Sequence, residues 1–252
     1  MQLYNKSINK DIPIPLYYQL KTILLEYINE INTNHSNYEN PIPTEVEISK
    51  HFGISRPTVR QAINELVVEG YLYRKKAIGT FVAKQKINQD FLLVLDSFNK
   101  EMMQKGFTPS TKVLDIKVVK SFKNVSKALK LNGGKVIQLS RLRYANEEPI
   151  VFVMTYLPYE LCQPILKGDL ENNSLYELLE NECNLTITDA QRSLESILAG
   201  EFEANLLQIE KGAPIQFFES IAYLADGTPI EYSLAKYRGD RNKFTFKLKR
   251  DS

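Results

Sequence analysis

The sequence predicts an α+β protein made of two units: three helices and a β-hairpin first, then a larger antiparallel sheet with helices packed against it. Apolar residues recur at helical spacing up to about residue 68, and an alternating pattern takes over at residue 71. Beyond residue 125 the chain contains two similar helix-plus-hairpin segments. A length of 252 residues is sufficient for two separate hydrophobic cores.

The composition is that of an ordinary globular protein, with 43% hydrophobic and 25% charged residues. No apolar run approaches the length that a membrane span needs, and the N-terminus lacks the apolar segment of a secretion signal. We therefore expect a cytoplasmic protein. Cys162 and Cys183 cannot form a disulfide framework and are expected to be reduced and buried. His35 and His51 are not spaced like metal ligands, so no metal or cofactor is expected.

The net charge of +2 is unevenly distributed along the chain. Residues 1–90 carry 11 basic and 9 acidic side chains, whereas residues 91–252 carry 21 of each. Between residues 56 and 86 there are 7 basic and 2 acidic side chains. A local excess of this kind attracts a phosphate backbone, so the sequence places a nucleic-acid contact in the N-terminal unit.

The first two helices are indicated by spacing and by end signals. Residues 14–31 place leucine, isoleucine and tyrosine residues on one helical face, with prolines at the entry. A polar, proline-containing loop follows. Thr44 lies three residues before Glu47, which is the spacing of a capping box and predicts the start of the second helix. Gly53 is expected to end that helix in the left-handed conformation.

The third helix is expected to begin after Ser55, which can cap it. Its inward face is apolar, while Arg56, Arg60 and Asn64 lie four residues apart on another face, beside Thr58 and Gln61. A polar stripe is often only a solvated surface. This stripe, however, begins at a helix N-terminus directly after a tight turn between helices, where a recognition helix meets DNA.

A basic hairpin follows the third helix. Residues 71–73 and 80–82 alternate like short strands, and the turn between them contains Arg74, Lys75 and Lys76. These side chains could simply aid solubility, but beside a recognition helix they are better interpreted as a wing on phosphates or in the minor groove. We expect this DNA-binding unit to cover residues 1–83, a linker to cover 84–92, and a second unit to cover 93–252.

The second unit contains an internal near-repeat. The segment beginning at Val125 and the segment beginning at Phe202 each read as an amphipathic helix, a glycine turn, a strand, a polar turn and a second strand. The two halves are expected to share one antiparallel sheet. Further predictions are helices at about 98–105 and 174–182 and strands at about 112–119, 189–199 and 244–248.

Several polar residues of this unit could form a small anion site. Residues 96–99 open a helix, although Ser97 alone would be an ordinary cap. Arg141 and Arg143 are two apart on an otherwise apolar strand, so both guanidinium groups can face one oxyanion. Such a pair is as often a solvated stripe. The remaining candidates are the helix start at Ser174 and Tyr176, and the hairpin residues Glu231 and Tyr237.

The chain resembles a known family in two motifs. SRPTVRQAINELVVEGYLYRKKAIGTFV resembles the winged helix-turn-helix of the GntR family of bacterial transcription regulators, and YRGDR near residue 240 is similar to the end of its HutC branch. The resemblance implies a C-terminal effector domain (UTRA) with a chorismate-lyase-like α+β fold, a homodimer and a double-stranded DNA operator. It places DNA contacts at Thr44, Glu45, Ser55, Arg56, Thr58, Arg60, Gln61, Asn64, Arg74, Lys75, Lys76, Gly79 and Thr80.

The resemblance also implies an effector pocket, in which related regulators bind phosphorylated amino sugars. The matching positions are Ser97, Phe98, Asn99, Arg141, Arg143, Ser174, Tyr176, Glu231 and Tyr237. The sequence departs from the family at Val46, where arginine is usual, at Ala77, where glycine is usual, at Ile78, and at Val153, where amino-sugar sensors have a second glutamate. These departures affect the operator sequence and the identity of the sugar.

The sequence therefore favours a non-enzymatic, ligand-responsive repressor controlled by a small sugar phosphate, such as a glucosamine-6-phosphate-like ligand. One alternative is an enzyme of chorismate-lyase-like fold acting on a small anionic substrate, although the second unit has no histidine and no evident nucleophile–base pair. Another alternative is a ligand-independent DNA-binding dimer.

Overall fold

The computed structural model describes residues 3–33, 40–75, 77–83, 86–89 and 98–246. The chain divides into two compact units, residues 1–85 and 86–252. Each unit has a hydrophobic core of its own, as expected from the length and the change in pattern.

The first unit consists of three helices and a hairpin, preceded by a 3₁₀ turn. Helix α1 covers Leu16–Thr33, α2 covers Glu45–Phe52 and α3 covers Arg56–Val68. Strands β1 (Leu72–Lys75) and β2 (Gly79–Val82) pair antiparallel. The hairpin prediction is confirmed with one difference: Arg74 and Lys75, expected in the turn, belong to β1.

The core of the first unit is formed by the apolar stripes that the sequence predicted. The stripes meet because each helix has one apolar face to remove from water. The fully or nearly fully buried side chains are Leu20, Leu24 and Ile28 of α1, Ile48 of α2, and Val59, Ala62, Ile63 and Leu66 of α3.

The second unit contains eight strands and five helices among the described residues. In chain order they are β3 (Ile87–Gln89), α4 (Phe98–Gln104), β4 (Pro109–Lys120), α5 (Lys123–Ala128), β5 (Lys135–Ala145), β6 (Glu148–Pro158), α6 (Tyr159–Cys162), α7 (Leu175–Cys183), β7 (Ile187–Leu198), α8 (Glu201–Leu207), β8 (Pro214–Leu224), β9 (Pro229–Arg238) and β10 (Asn242–Phe244).

Six of these strands form one antiparallel sheet in the order β4-β5-β6-β9-β8-β7. Each half of the sequence repeat supplies a helix and a hairpin: α5 with β5 and β6, and α8 with β8 and β9. The two hairpins meet at the centre of the sheet, where Val153 of β6 is opposite Ala235 of β9. The predicted shared sheet is therefore confirmed. Its order places β5 and β7 on opposite sides of the central pair β6–β9.

The segment expected to be a linker contains structure. Residues 87–89 form β3, which pairs in parallel with β10. Ile87 is buried, and Gln89 Nε2 donates a 2.7 Å hydrogen bond to Asn242 Oδ1. A three-residue strand shows no periodicity, and its partner lies some 150 residues away, so the sequence pattern could not reveal it. The last strand also differs from its prediction at 244–248, since β10 ends at Phe244; residues 247 and 248 lie outside the described residues.

The YRGDR motif closes the turn between β9 and β10. Arg238 donates hydrogen bonds to both carboxylate oxygens of Asp240, at 3.1 and 2.7 Å, and to the carbonyl of Pro149 at 3.2 Å. A Cβ on Gly239 would lie 2.7 Å from the carbonyl oxygen of Pro214. The motif therefore has a structural role. Arg238 connects the turn to the neighbouring segment at Pro149, and Gly239 permits the close approach of the Pro214 carbonyl.

Candidate functional sites

The helix–turn–helix of the first unit is fixed by its local caps. The Thr44 hydroxyl accepts a hydrogen bond from Glu47 N, and Glu47 Oε2 accepts one from Thr44 N at 2.7 Å, which completes the predicted capping box. Gly53 adopts φ 59° at the end of α2. Ser55 Oγ accepts a hydrogen bond from Thr58 N at 3.3 Å. Thr44, Ser55 and Thr58 therefore each have a structural role besides the DNA contact expected of them.

The polar stripe of α3 is exposed. Arg56, Arg60, Gln61 and Asn64 all face solvent. They present two guanidinium groups and two amides along one face of a helix that begins at a tight turn. Arginine and amide side chains are the groups that bond most specifically to base edges in the major groove.

A network of charged and polar side chains joins α2, α3 and β1. Arg60 donates from Nε and Nη2 to Glu45 Oε2, at 3.1 and 2.9 Å. Arg74 Nη2 donates to Asn64 Oδ1 at 2.6 Å and lies 3.8 Å from Glu45 Oε1. Four of the residues expected to contact DNA, Glu45, Arg60, Asn64 and Arg74, therefore hold one another in position on this surface.

The tip of the hairpin is exposed and conformationally constrained. Lys75 Nζ lies 5.5 Å from the centre of the Phe81 ring. Ala77 adopts φ 63°, and Ile78 is 72% exposed. The expected contacts Gly79 and Thr80 begin β2, whereas Lys76 lies outside the described residues. The hairpin can therefore place backbone and basic groups beside the recognition helix, as a wing does.

A cavity of about 100 Å³ lies on one face of the sheet of the second unit. A water molecule occupies about 30 Å³ of liquid, so the space accepts an oxyanion of several heavy atoms. Strands β5, β6, β9, β8 and β7 form its floor, and α4 and the start of α7 contribute to its walls. Its polar lining consists of Glu101, Arg141, Arg143, Ser174, Tyr176, Arg192, Ser220, Glu231, Ser233 and Tyr237.

The arginine pair of β5 faces this cavity. Arg141 is 3% exposed, and the Nε atoms of Arg141 and Arg143 are buried without a hydrogen-bond partner in the described chain. The Arg143 guanidinium lies 5.2 Å from the centre of the Phe98 ring, which orients it. Burial, followed by repulsion from Arg143, lowers the pKa of Arg141 to about 9, and burial also lowers the pKa of Arg143. Both side chains remain cationic at neutral pH.

Glu231, Tyr176 and Tyr237 lie beside the arginines. Burial, with the nearby Glu231 carboxylate second, raises the pKa of Tyr176, and burial raises the pKa of Tyr237. Both phenols therefore stay protonated. At the start of α7, Ser174 N donates to Glu177 Oε2 at 3.2 Å. The cavity thus combines guanidinium and hydroxyl donors with the carboxylates of Glu101 and Glu231, an arrangement suited to binding a polar anion that also has hydrogen-bond donors.

The structure brings together most of the expected effector residues. Phe98, Arg141, Arg143, Ser174, Tyr176, Glu231 and Tyr237 all line the cavity. Asn99 does not, because it follows Phe98 on α4 and points to another side of the helix. Ser97 lies outside the described residues.

The sequence interpretation missed four polar lining residues: Glu101, Arg192, Ser220 and Ser233. Arg192 and Ser220 lie opposite each other on the adjacent strands β7 and β8. The sequence indicated only that each side chain faces the same side of its strand as the residues two positions away. Which face that was depends on strand order, which no local pattern gives.

The described residues include no group of three or more metal-binding side chains. Cys162 and Cys183 form no disulfide, and burial raises the pKa of the Cys162 thiol to about 12. Cys162 is buried as expected, whereas Cys183 is half-buried. No helix among the described residues is long and apolar enough to cross a membrane.

Two family matches cover the two units. Residues 21–82 match the gntR family of bacterial regulatory proteins, and residues 104–243 match the UTRA domain. The chain belongs to the GntR family. It has the GntR/HutC-type architecture, an N-terminal winged helix-turn-helix followed by a UTRA domain, and it is a transcriptional regulator with a DNA-binding domain.

Relatives and solved structures agree along nearly the whole chain. The HTH-type transcriptional repressor NagR of Bacillus subtilis is 36% identical and covers 97% of this chain and 99% of its own length. The mannosyl-D-glycerate transport/metabolism system repressor MngR of Escherichia coli is 28% identical, over 94% and 98%. The crystal structure of PhnF from Mycobacterium smegmatis has a TM-score of 0.65 at 25% identity, over 92% and 99%.

Proposed function

We propose that this regulator is a repressor that binds a two-fold operator as a homodimer and is controlled by a phosphorylated sugar or amino sugar in the cavity of its second unit. The observation that carries the proposal is the arginine pair. Two guanidinium groups with buried, unpartnered Nε atoms face one cavity, in a chain that also carries a winged helix-turn-helix.

A phosphate group is the ligand chemistry that this pair favours. Buried polar groups that lack a partner cost free energy, and like charges side by side add to that cost. A phosphate monoester supplies about two negative charges and several acceptor oxygens, so it can satisfy Arg141 and Arg143 together. Glu231 can then accept hydrogen bonds from the hydroxyl or amino groups of the sugar.

The relatives support a sugar-derived effector. The name of MngR connects that protein with a mannosyl-D-glycerate transport and metabolism system, and NagR and MngR are both named repressors. The family resemblance makes a glucosamine-6-phosphate-like compound the first ligand to test, and the two relatives make repression the first activity to test.

Hydrogen-bonded strands of the second unit connect the cavity to the residues that follow the first unit in the chain. Glu231 and Tyr237 line the cavity from β9, which continues through the Arg238–Asp240 clamp into β10. Strand β10 pairs with β3, the first described element after the first unit. A ligand that moves β9 would move β3 with it. In a dimer this movement would alter the distance between the two DNA-binding units. Operator half-sites lie about one helical turn apart, so a change in spacing lowers affinity.

The proposal is tested with duplex DNA from upstream of the protein's own gene. In fluorescence anisotropy the wild type should bind this duplex more tightly than a scrambled one, and glucosamine 6-phosphate should change that affinity. Replacing Arg141 and Arg143 together with methionine removes the two charges but keeps much of the volume. This variant should bind the duplex as before and no longer respond.

The outcomes separate the proposal from its alternatives. Turnover of the sugar phosphate would favour an enzyme, and tight DNA binding without a response to any sugar phosphate would favour a ligand-independent dimer. A matched melting experiment confirms that the double variant is folded. A melting temperature close to that of the wild type is the outcome that validates the comparison.

A further inference from the structure

One end of the sheet of the second unit carries a concentration of lysine side chains. Residues 116–135 contain six lysines and no acidic residue, although residues 91–252 as a whole carry 21 basic and 21 acidic side chains. The other positions of that range therefore hold 15 basic and 21 acidic side chains. The lysine-rich segment covers the end of β4, helix α5 and the start of β5, and all six of its lysines are exposed.

Five of these lysines have no carboxylate partner. Lys117 forms an ion pair with Asp115 at 2.6 Å. The other five form no ion pair and no side-chain hydrogen bond within the described part of the chain: Lys120, Lys123, Lys127, Lys130 and Lys135. Among them, Lys135 Nζ lies 5.9 Å from the centre of the Tyr159 ring. We call these five residues the lysine cluster.

The lysine cluster places like charges next to one another. Lys120 is opposite Lys135 in the pairing of β4 with β5, and Lys123 lies four residues before Lys127 on α5. Val125 is buried on the inner face of α5, so both lysines of this helix project to solvent. Like charges opposite each other on neighbouring strands, or four apart on a helix, destabilise a fold. A surface that serves only solubility mixes both signs. Neither stability nor solubility therefore explains the cluster.

The lysine cluster fits a polyanion better than it fits a folded protein partner. Protein–protein interfaces are depleted in lysine, whereas lysine ammonium groups bind phosphates as point charges. Lys123 and Lys127 are about 6 Å apart along the axis of α5, and each DNA strand presents a phosphate about every 3.4 Å along the duplex axis. The chain also carries a DNA-binding domain, so duplex DNA is the polyanion that the cluster meets.

We infer that the lysine cluster binds the sugar–phosphate backbone of the DNA that flanks the operator. This contact does not read base sequence, and it adds to the contacts of the recognition helix and the wing. The second unit is then a DNA-binding surface as well as an effector-binding unit. The inference rests on operator binding by the first unit, which is part of the proposed function, and is independent of the identity of the effector.

Two duplexes test the inference by fluorescence anisotropy on the full chain at several salt concentrations. The short duplex is the operator mapped by footprinting upstream of the protein's own gene, and the long duplex adds scrambled flanks of about two helical turns on each side. The wild type should bind the long duplex more tightly, with a steeper dependence of log affinity on log salt. Lys123→Gln combined with Lys127→Gln should reduce that slope by about two units, roughly one per phosphate contact, and should leave binding of the short duplex unchanged.

A matched control separates the lysine cluster from net charge. Lys167→Gln combined with Lys211→Gln makes the same change in charge at exposed positions of the second unit outside the cluster, and it should keep the wild-type slope on the long duplex. Lys120→Gln combined with Lys135→Gln removes the pair of opposed lysines and should lower the slope as the α5 variant does. Melting curves show whether each variant is folded, and one cluster variant serves if the other is not.

The failures can be told apart. Equal slopes of the wild type on the two duplexes would overturn the inference and leave operator binding intact. An equal loss of slope in the control variant would assign the effect to net charge and would also overturn it. Binding to phosphatidylserine vesicles that the α5 variant loses, without any effect of the flanks, would assign the lysine cluster to a membrane surface instead. If the wild type does not bind the short duplex, the proposed function fails and this inference fails with it.

Discussion

Glu45 at the start of α2 holds the guanidinium group of Arg60 on α3, with Glu45 Oε2 accepting from Nε at 3.1 Å and from Nη2 at 2.9 Å. The same carboxylate lies 3.8 Å from Arg74 of β1. A negative charge therefore stands in the middle of a surface expected to meet phosphates. It fixes the position of two cations and also opposes indiscriminate attraction to DNA.

Glu45→Gln should make DNA binding tighter and less selective. The substitution keeps the shape of the side chain but frees Arg60 and Arg74 for phosphates, and each additional phosphate contact steepens the dependence of log affinity on log salt by about one unit. Anisotropy titrations of operator and scrambled duplexes at several salt concentrations measure both effects.

A matched control is Glu26→Gln on α1, which also removes one carboxylate from an exposed ion pair, with Lys6. It should leave the ratio of operator to scrambled affinity unchanged. An unchanged ratio in Glu45→Gln as well would mean that the Glu45–Arg60 contact has no part in selectivity.

Ala77→Gly should stabilise the first unit. Ala77 adopts φ 63°, a left-handed conformation that glycine adopts without steric cost. Relief of that strain should raise the free energy of unfolding by about 1 kcal/mol, measured by urea denaturation. Ala62→Gly, in the helical interior of α3, should have the opposite sign. A loss of stability in Ala77→Gly would show that the turn has a different conformation in solution.

Local signals in the sequence predicted the first unit well and the second unit less completely. Thr44, Gly53 and Ser55 act on residues within four positions of themselves, so their pattern alone located the ends of α2 and α3. The contact of β3 with β10 joins residues about 150 apart, and no local rule specifies it. Arg192 lines the cavity because of the place of β7 in the sheet order β4-β5-β6-β9-β8-β7, and no local pattern gives that order.

Glu203→Gln should reduce stability at neutral pH and change its dependence on pH. Lys236 donates a 2.5 Å hydrogen bond to Glu203 Oε1, and this contact lowers the pKa of Glu203 below its ordinary value of 4.5. A carboxylate whose pKa is lower in the folded than in the unfolded protein stabilises the fold at any pH above its unfolded pKa. This stabilisation is lost as the pH falls through its folded pKa. A hydrogen bond between charged groups contributes about 1.5 kcal/mol or more.

Urea denaturation of wild type and Glu203→Gln should therefore give stabilities that differ most at neutral pH and converge once the pH has fallen below the lowered pKa of Glu203. Glu201→Gln is the matched control on the same helix, since Glu201 and Lys211 form an ion pair whose side chains are both largely exposed. It should have little effect at either pH. A difference between wild type and Glu203→Gln that stays constant down to low pH would exclude ionisation of Glu203 as the cause.

Arg56→Ala should weaken operator binding. Arg56 begins α3, is exposed, and forms no ion pair within the described part of the chain, so its guanidinium group is available to DNA. Loss of a base or phosphate contact costs about 1–3 kcal/mol. Anisotropy titrations at fixed salt should show this loss of operator affinity. The affinity of Arg56→Lys should lie between those of the wild type and Arg56→Ala if Arg56 contacts a phosphate, and close to that of Arg56→Ala if Arg56 makes a bidentate contact with guanine. Equal affinity in all three proteins would remove Arg56 from the interface.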